Sequence, residues 1–411
     1  MNYRKYNSKK DKKAVLRIWR EVGWIERDIN KQKEKTIFKF IEAGQAFVKD
    51  IRDTAECLVL TTPGSIQYLN EKLTLCAVTS VTTSRIARKQ NFASQLTSCA
   101  LAEAASENIA VAGLGIFDQG FYNKLGFGNG AYENWISFDP SSLKLETNKR
   151  IPFRITIKDY KSAHKSRLNR IHTHGCCDLD SDVITHLEMI ETKNGFGLGF
   201  NNDDNELTHH FWIQAEGEHG PYDVRWFSFQ NYEQFLELMS VLKGLGDQVY
   251  TIKMKEPPGI QFQDLLNQPF RNRNMTEKTK YENNMWSLSY CQFRIISLFD
   301  CITKTHLSKQ GSHFNLSLRD PITDYLHDNQ NWTGISGDYI IKFGPVSEIE
   351  YGNNKDFPTL KASVGAFTRM WLGVQSAASL SVTDDLKGPQ ELLRELDDLF
   401  RLPGPKPDWD F

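Results

Sequence analysis

Charge of one sign is what this sequence of 411 residues lacks: 50 Lys and Arg stand against 51 Asp and Glu, a net charge of −1. A balanced chain builds no broad field to gather nucleic acid or anionic lipid, so neither is expected as a partner. Long apolar runs are missing too. No stretch reaches the roughly 18 residues of a membrane-spanning helix. The basic start, Lys9-Lys10-Asp11-Lys12-Lys13, leads into no apolar segment, so no signal peptide is legible. Cysteine is scarce and odd in number, at 7, which excludes a complete disulfide framework. Free thiols buried as small core residues, in a cytoplasmic protein, are the expectation. What is present is apolar material, at 40% of residues, with 25 Phe, 14 Tyr and 9 Trp. That excludes intrinsic disorder. At about 150 residues per domain, the length predicts two to four domains.

Texture divides the chain at 1–147, 148–284 and 285–411. In the first part, apolar spacing predicts a helix over 11–24 and strands over 45–50 and 56–61. Thr62-Pro63-Gly64-Ser65 reads as a turn. A β-rich run at 73–82, an Ala-rich helix at 92–107, a strand at 109–116 and a helical turn at 122–125 ended by Gly126 follow. The second part offers strands near 151–157 and 249–254 around a helix at 232–242. Residues 268–284 are polar and read as a linker. The third part is expected to open with an amphipathic helix. Strands at 313–318 and 339–343 and helices at 363–374 and 389–399 come next. Pro403, Pro405 and Pro407 then hold an extended tail ending Trp409-Asp410-Phe411.

Chemistry concentrates between Leu73 and Gly128. A strand runs into Arg88-Lys89-Gln90-Asn91-Phe92-Ala93, where a helix begins. A helix N-terminus exposes unpaired N–H groups and partial positive charge, which suit a pyrophosphate, and Arg88 and Lys89 add cations. Spacing alone is equally that of an ordinary strand–helix unit with a basic turn. His172-Thr173-His174-Gly175-Cys176-Cys177-Asp178 has zinc-ligand residue types. No second cluster lies nearby to complete a site, so we read a loop with buried cysteines and assign no metal. Gly195-Phe196-Gly197-Leu198-Gly199 lacks nucleotide-loop spacing and reads as a loop or strand bend. His209-His210 reads as a strand edge, and Asn315-Leu316-Ser317 as an unused glycosylation pattern.

The segment Arg88 to Ala93 resembles the acetyl-CoA signature of the GNAT acetyltransferase superfamily, Arg/Gln-x-x-Gly-x-Gly/Ala. It matches at Arg88 and Ala93 and departs at Asn91, where the superfamily has Gly. Asn tolerates left-handed backbone better than most residues, so the turn is expected to survive. Residues 109–112 followed by Phe121-Tyr122-Asn123-Lys124-Leu125-Gly126-Phe127-Gly128 resemble the enhanced-intracellular-survival branch of that superfamily. The Thr62-Pro63-Gly64 segment, Trp371-Leu372-Gly373 and the Pro-rich, acidic-aromatic end are similar to it too.

That resemblance implies an α/β and α+β architecture of tandem GNAT-like domains with mixed central sheets flanked by helices. The second domain would lack a cofactor motif, and the third would be α+β and sterol-carrier-like. It also implies an acetyl-CoA-dependent N-acetyltransferase acting on a small-molecule or lysine-type amine, such as an aminoglycoside or polyamine, with a homo-oligomer allowed. Tyr122 takes the place of the general acid and the terminal carboxylate of Phe411 that of the base. Val81, Thr82, Thr83, Arg88, Lys89, Gln90, Asn91, Phe92 and Ala93 would hold the cofactor. Backbone N–H groups at 81–83 would polarise the thioester carbonyl. Trp24, Glu26, Asp28 and Asp410 are candidates for the cationic acceptor. The competing expectation is a catalytically weak scaffold that binds acyl-CoA or an apolar ligand.

Overall fold

The computed structural model describes residues 3–147, 150–269, 277–309, 311–326 and 330–410. Three mixed sheets flanked by helices make up the molecule. The first has strand order Tyr3–Lys5, Gln45–Ile51, Thr54–Tyr68, Glu71–Thr83, Val111–Gly115, Cys291–Ile295, Gly128–Asn129, with Cys177–Leu179 added to Thr54–Tyr68. Its strands alternate apolar residues to both faces. Val48, Leu58 and Leu60 pack with helices Ser8–Glu21 and Lys31–Ala43, while Phe47, Cys57 and Val59 pack with helix Phe92–Ser106. The second sheet runs Asn284–Leu288, Glu133–Phe138, Ile252–Lys255, Tyr222–Ser228, Leu207–Ala215, Gly195–Asn201, Phe153–Ile155. The third holds Glu348–Tyr351, Gly337–Lys342, His313–Arg319, Thr359–Ser363 and Leu386–Lys387.

Sheet membership crosses the boundaries drawn from texture. Glu133–Phe138, within 1–147, pairs in the second sheet with Ile252–Lys255 and Asn284–Leu288. Cys291–Ile295, within 285–411, lies in the first sheet between Val111–Gly115 and Gly128–Asn129. The core follows it: Ile66, Tyr68 and Leu75 of the first sheet share one apolar cluster with Phe314, Phe367 and Leu392. Tyr68 stacks on Trp371 with ring centroids 4.2 Å apart.

Several local expectations are corrected. Thr62-Pro63-Gly64-Ser65 is not a turn; the strand continues through it to Tyr68. Gly64 is needed there for close approach. A Cβ would sit 2.1 Å from the Asp178 carbonyl oxygen of the strand pairing alongside. The third part opens with strands Asn284–Leu288 and Cys291–Ile295, and helix Leu298–Thr303 comes only afterwards. His209 and His210 lie on an interior strand, paired on both sides and buried. Gly195–Asn201 is a strand, with its register irregularity confined to Phe200/Asn201, and its alternate glycines leave room for Trp212 and Ile155.

Candidate active site

Strands Glu71–Thr83 and Val111–Gly115 are parallel, and they pair only at Leu75↔Val111, Cys76↔Ala112 and Ala77↔Gly113. Beyond that point they part. On its other side, Glu71–Thr83 slips register against Thr54–Tyr68 between Leu60↔Thr79 and Leu58↔Thr82. Ser80, at φ 55°, carries the resulting bulge. Val81, Thr82 and Thr83 therefore end a strand whose edge toward Val111–Gly115 no longer has a ladder partner. Arg88, Lys89 and Gln90 follow as an exposed loop. Asn91 is left-handed, at φ 59° and ψ 13°, and its side chain does not cap the helix that starts at Phe92. The turn thus keeps its shape with Asn, and the N–H groups of the first helical turn stay free of a side-chain acceptor. Phe92 itself is buried beneath Lys49, 4.6 Å over the ring. Ala93, next along the helix, is half-buried.

Tyr122 sits in the short helix Gln119–Asn123, capped by Asp118. It is buried, with Phe121 and Phe127 edge-on at 4.9 and 6.1 Å. Burial, reinforced by Asp118 and Tyr290, pushes its phenol up to about 12. The proton is held at neutral pH and is available for donation. Tyr290, one of the groups that raise the Tyr122 phenol, lines a cavity, and its own phenol is raised by burial and then by Asp410, with Lys255 pulling the other way.

The cavity, about 360 Å³, lies where the two large sheets meet. Thr79 and Ser80 of the bulge form part of its wall. Trp24 and Ile25 come from the loop after the first helix, and Glu188 and Glu191 from helix Asp182–Glu191. Arg167, Lys255, Tyr290 and the tail residues Asp408, Trp409 and Asp410 also line it. Of the acceptor-site candidates, the structure brings Trp24 and Asp410 here. Glu26 and Asp28 are exposed and lie outside the lining, while the apolar Ile25 and Ile29 on either side of them pack against the helices. Phe411 lies outside the described residues. Glu188, Glu191, Lys255 and Tyr290 had no local sequence signal; each comes from an element distant in the chain.

The tail is docked. Lys406 N–H donates to the His174 carbonyl at 3.0 Å, and Cys177 N–H to the Pro407 carbonyl at 2.8 Å. Gly175, at φ 81°, lets it pass, since a Cβ would lie 2.4 Å from Pro405 Cβ. Trp409 is 2% exposed, with Arg167 3.7 Å over its ring. Asp408 accepts from Arg170 Nε at 3.0 Å, and Asp410 pairs with Lys255 Nζ at 2.5 Å. Lys255 also meets Glu133 at 3.3 Å. Burial pushes the Glu133 carboxyl up, against the pull of Lys255.

The His-Cys segment is thus the seat of the tail. His172, Cys176 and Asp178 do offer ligand atoms within 4.8 Å of one another. Arg170 already bridges two of them, with Asp178 at 2.8 Å and Cys176 Sγ at 2.9 Å. The guanidinium thus already supplies these two groups with a cationic partner.

No family model matches this sequence, and no curated protein does. Solved structures do. One is an Enterococcus faecalis V583 protein described as a conserved protein of unknown function and probable N-acyltransferase. It superposes at a TM-score of 0.80 with 14% identity, over 100% of this chain and 99% of its own. A GCN5-related N-acetyltransferase from Anabaena variabilis gives 0.76 at 13% identity, over 100% of both chains. Eis1 from Mycobacterium abscessus gives 0.77 at 11% identity, again over 100% of both. The fold is accordingly that of the GNAT-type N-acetyltransferases with tandem α/β domains, shared from one end of the chain to the other.

Proposed function

We propose that the protein is an acetyl-CoA-dependent N-acetyltransferase acting on a primary amine. The observation that carries this is the opened pair of parallel strands. It leads on one side to the uncapped, Arg88- and Lys89-flanked start of helix Phe92–Ser106, and on the other to Tyr122. A pyrophosphate suits the first feature and a thioester the gap between the strands. The likeness to the N-acetyltransferases described above supports the same reading.

In this mechanism Tyr122 gives its proton to the thiolate as the carbon–sulfur bond breaks. The carboxylate of Phe411, one residue beyond cavity-lining Asp410, takes the proton of the attacking amine. N–H groups at 81–83 receive the charge that builds on the carbonyl oxygen. Trp24, Glu188 and Glu191 supply the aromatic face and carboxylates for a cationic acceptor of aminoglycoside, polyamine or lysine type. The second sheet acts as a cofactor-free relative of the first, and the C-terminal sheet as a sterol-carrier-like scaffold. The seven buried free thiols fit a cytoplasmic setting.

Calorimetry with acetyl-CoA, followed by thiol release across a panel of amines, tests the reading. Binding and amine-dependent thiol release are expected. Absence of heat at millimolar acetyl-CoA would overturn it in favour of a scaffold.

A further inference from the structure

A buried ion pair far along the chain grips the Tyr122 turn. Arg294, on the inserted strand Cys291–Ile295, donates through Nη1 to the Leu125 carbonyl, three residues after Tyr122. Its Nη2 bonds Asp320 Oδ2 at 2.7 Å, and both side chains are 0% exposed. Asp320 is in turn fixed by backbone N–H groups of Ile322 at 3.2 Å and Ile335 at 3.0 Å. The turn is shaped around the pair. Gly126 is at φ 79°, and a Cβ there would lie 2.9 Å from Arg294 Nη1 and 3.2 Å from Asp320 Oδ1. The same turn closes back on Tyr122, whose carbonyl accepts from Leu125 and Phe127 N–H at 2.9 and 3.2 Å.

We infer that Arg294 and Asp320 are positioning residues for Tyr122, so that the C-terminal third of the chain sets where the phenol sits in the cleft. The inference rests on the reading of Tyr122 as the acid. Two buried charges serve stability poorly, because their desolvation offsets much of their attraction. What they provide here is direction. The planar guanidinium fork holds one carbonyl and one carboxylate in fixed relation, which a lysine could not reproduce.

Two measurements test it. In a double-mutant cycle, Arg294→Lys should lower kcat about tenfold or more with KM for acetyl-CoA little changed. In the Tyr122→Phe background it should lower kcat less than about twofold, because groups that act as one unit are not additive. Full multiplication of the two effects, or no effect of Tyr122→Phe alone, would overturn the proposal. The second readout needs no activity. With ring-labelled tyrosine, the Tyr122 resonance is identified by its loss in Tyr122→Phe. It should shift in Arg294→Lys and not in the exposed control Arg319→Lys. If Arg294→Lys does not fold, Gly126→Ala replaces it in both measurements, since it disturbs the same contact while keeping the guanidinium. An unmoved resonance in a folded variant would also overturn the proposal. Failure of acetyl-CoA binding in the native protein, with the resonance still shifting, would instead count against the acetyltransferase reading alone.

Discussion

Asp410 Oδ1 and Lys255 Nζ lie 2.5 Å apart, joining the end of the chain to a strand of the second sheet. Trp135 and Tyr290 flank that pair, with Lys255 Nζ 5.3 and 5.7 Å from their ring centroids. Tyr290 helps to raise the Tyr122 phenol and is itself raised by burial and by Asp410, so one tyrosine is coupled electrostatically to both the Tyr122 turn and the tail.

Tyr122→Phe removes the proton and keeps the ring. Turnover should fall roughly 100-fold, the range of a lost general acid, with little change in melting temperature. The hydroxyl has no hydrogen-bond partner among the described residues, so its loss leaves no buried group orphaned. Steady-state kinetics beside a thermal melt decides; unchanged turnover removes Tyr122 from the mechanism.

Position 91 separates backbone shape from side-chain chemistry. Asn91→Val places a β-branched residue at φ 59°, at a cost of about 1–2 kcal/mol in the left-handed region. Acetyl-CoA affinity should weaken by about tenfold. Asn91→Gly should bind at least as tightly as the native chain. Calorimetry reads both, and equal affinities for the two variants would contradict a role for this turn.

Gly175 is the gate through which the tail reaches the cavity. Gly175→Ala brings a Cβ to 2.4 Å from Pro405 and strains a residue at φ 81°. Residues 404–410 should lose hydrogen-exchange protection while the sheets keep theirs. Activity should fall about tenfold, since a displaced group 1 Å out of place can cost more than that. Retained protection over 404–410 would refute the docking argument.

Asp178 gives a pH signature. Burial alone would raise its carboxyl, but the hydrogen bond from His172 and the charge of Arg170 outweigh it and bring it to about 2. A carboxyl lowered on folding stabilises the native state above its unfolded value near 3.9. That contribution, about 2 kcal/mol, is lost as pH falls from roughly 4 to 2. Urea unfolding over this window should show the loss in the native chain and a flatter profile in Asp178→Asn. Parallel profiles would count against it.

Much of the first domain is legible in its residues. The Arg88–Ala93 loop, the Ala-rich helix and the Tyr122 turn announce themselves because their determinants are local: a basic turn, a helical period, a Gly at positive φ. Non-local determinants are silent. Pro63-Gly64 has turn chemistry, yet the demand of a neighbouring strand for close approach wins. In Cys291–Ile295, Gln292 and Arg294 alternate with apolar residues as though facing water. Both are fully buried, against partners supplied by distant segments. Glu188, Lys255 and Tyr290 look like ordinary residues of their elements until the two large sheets meet. Glu26 and Asp28, one and three residues beyond Ile25, show the converse, since sequence proximity to Trp24 does not bring them to the cavity.

The inserted strand Cys291–Ile295 also governs how the protein is made. Val111–Gly115 and Gly128–Asn129 cannot be joined until a strand synthesised more than 150 residues later arrives between them. The N-terminal sheet therefore waits through most of translation with an open seam, and contacts of such separation slow folding. A fragment ending before Asn284 would carry the Tyr122 turn and the Arg88 loop, yet leave that seam as an unpaired, aggregation-prone edge.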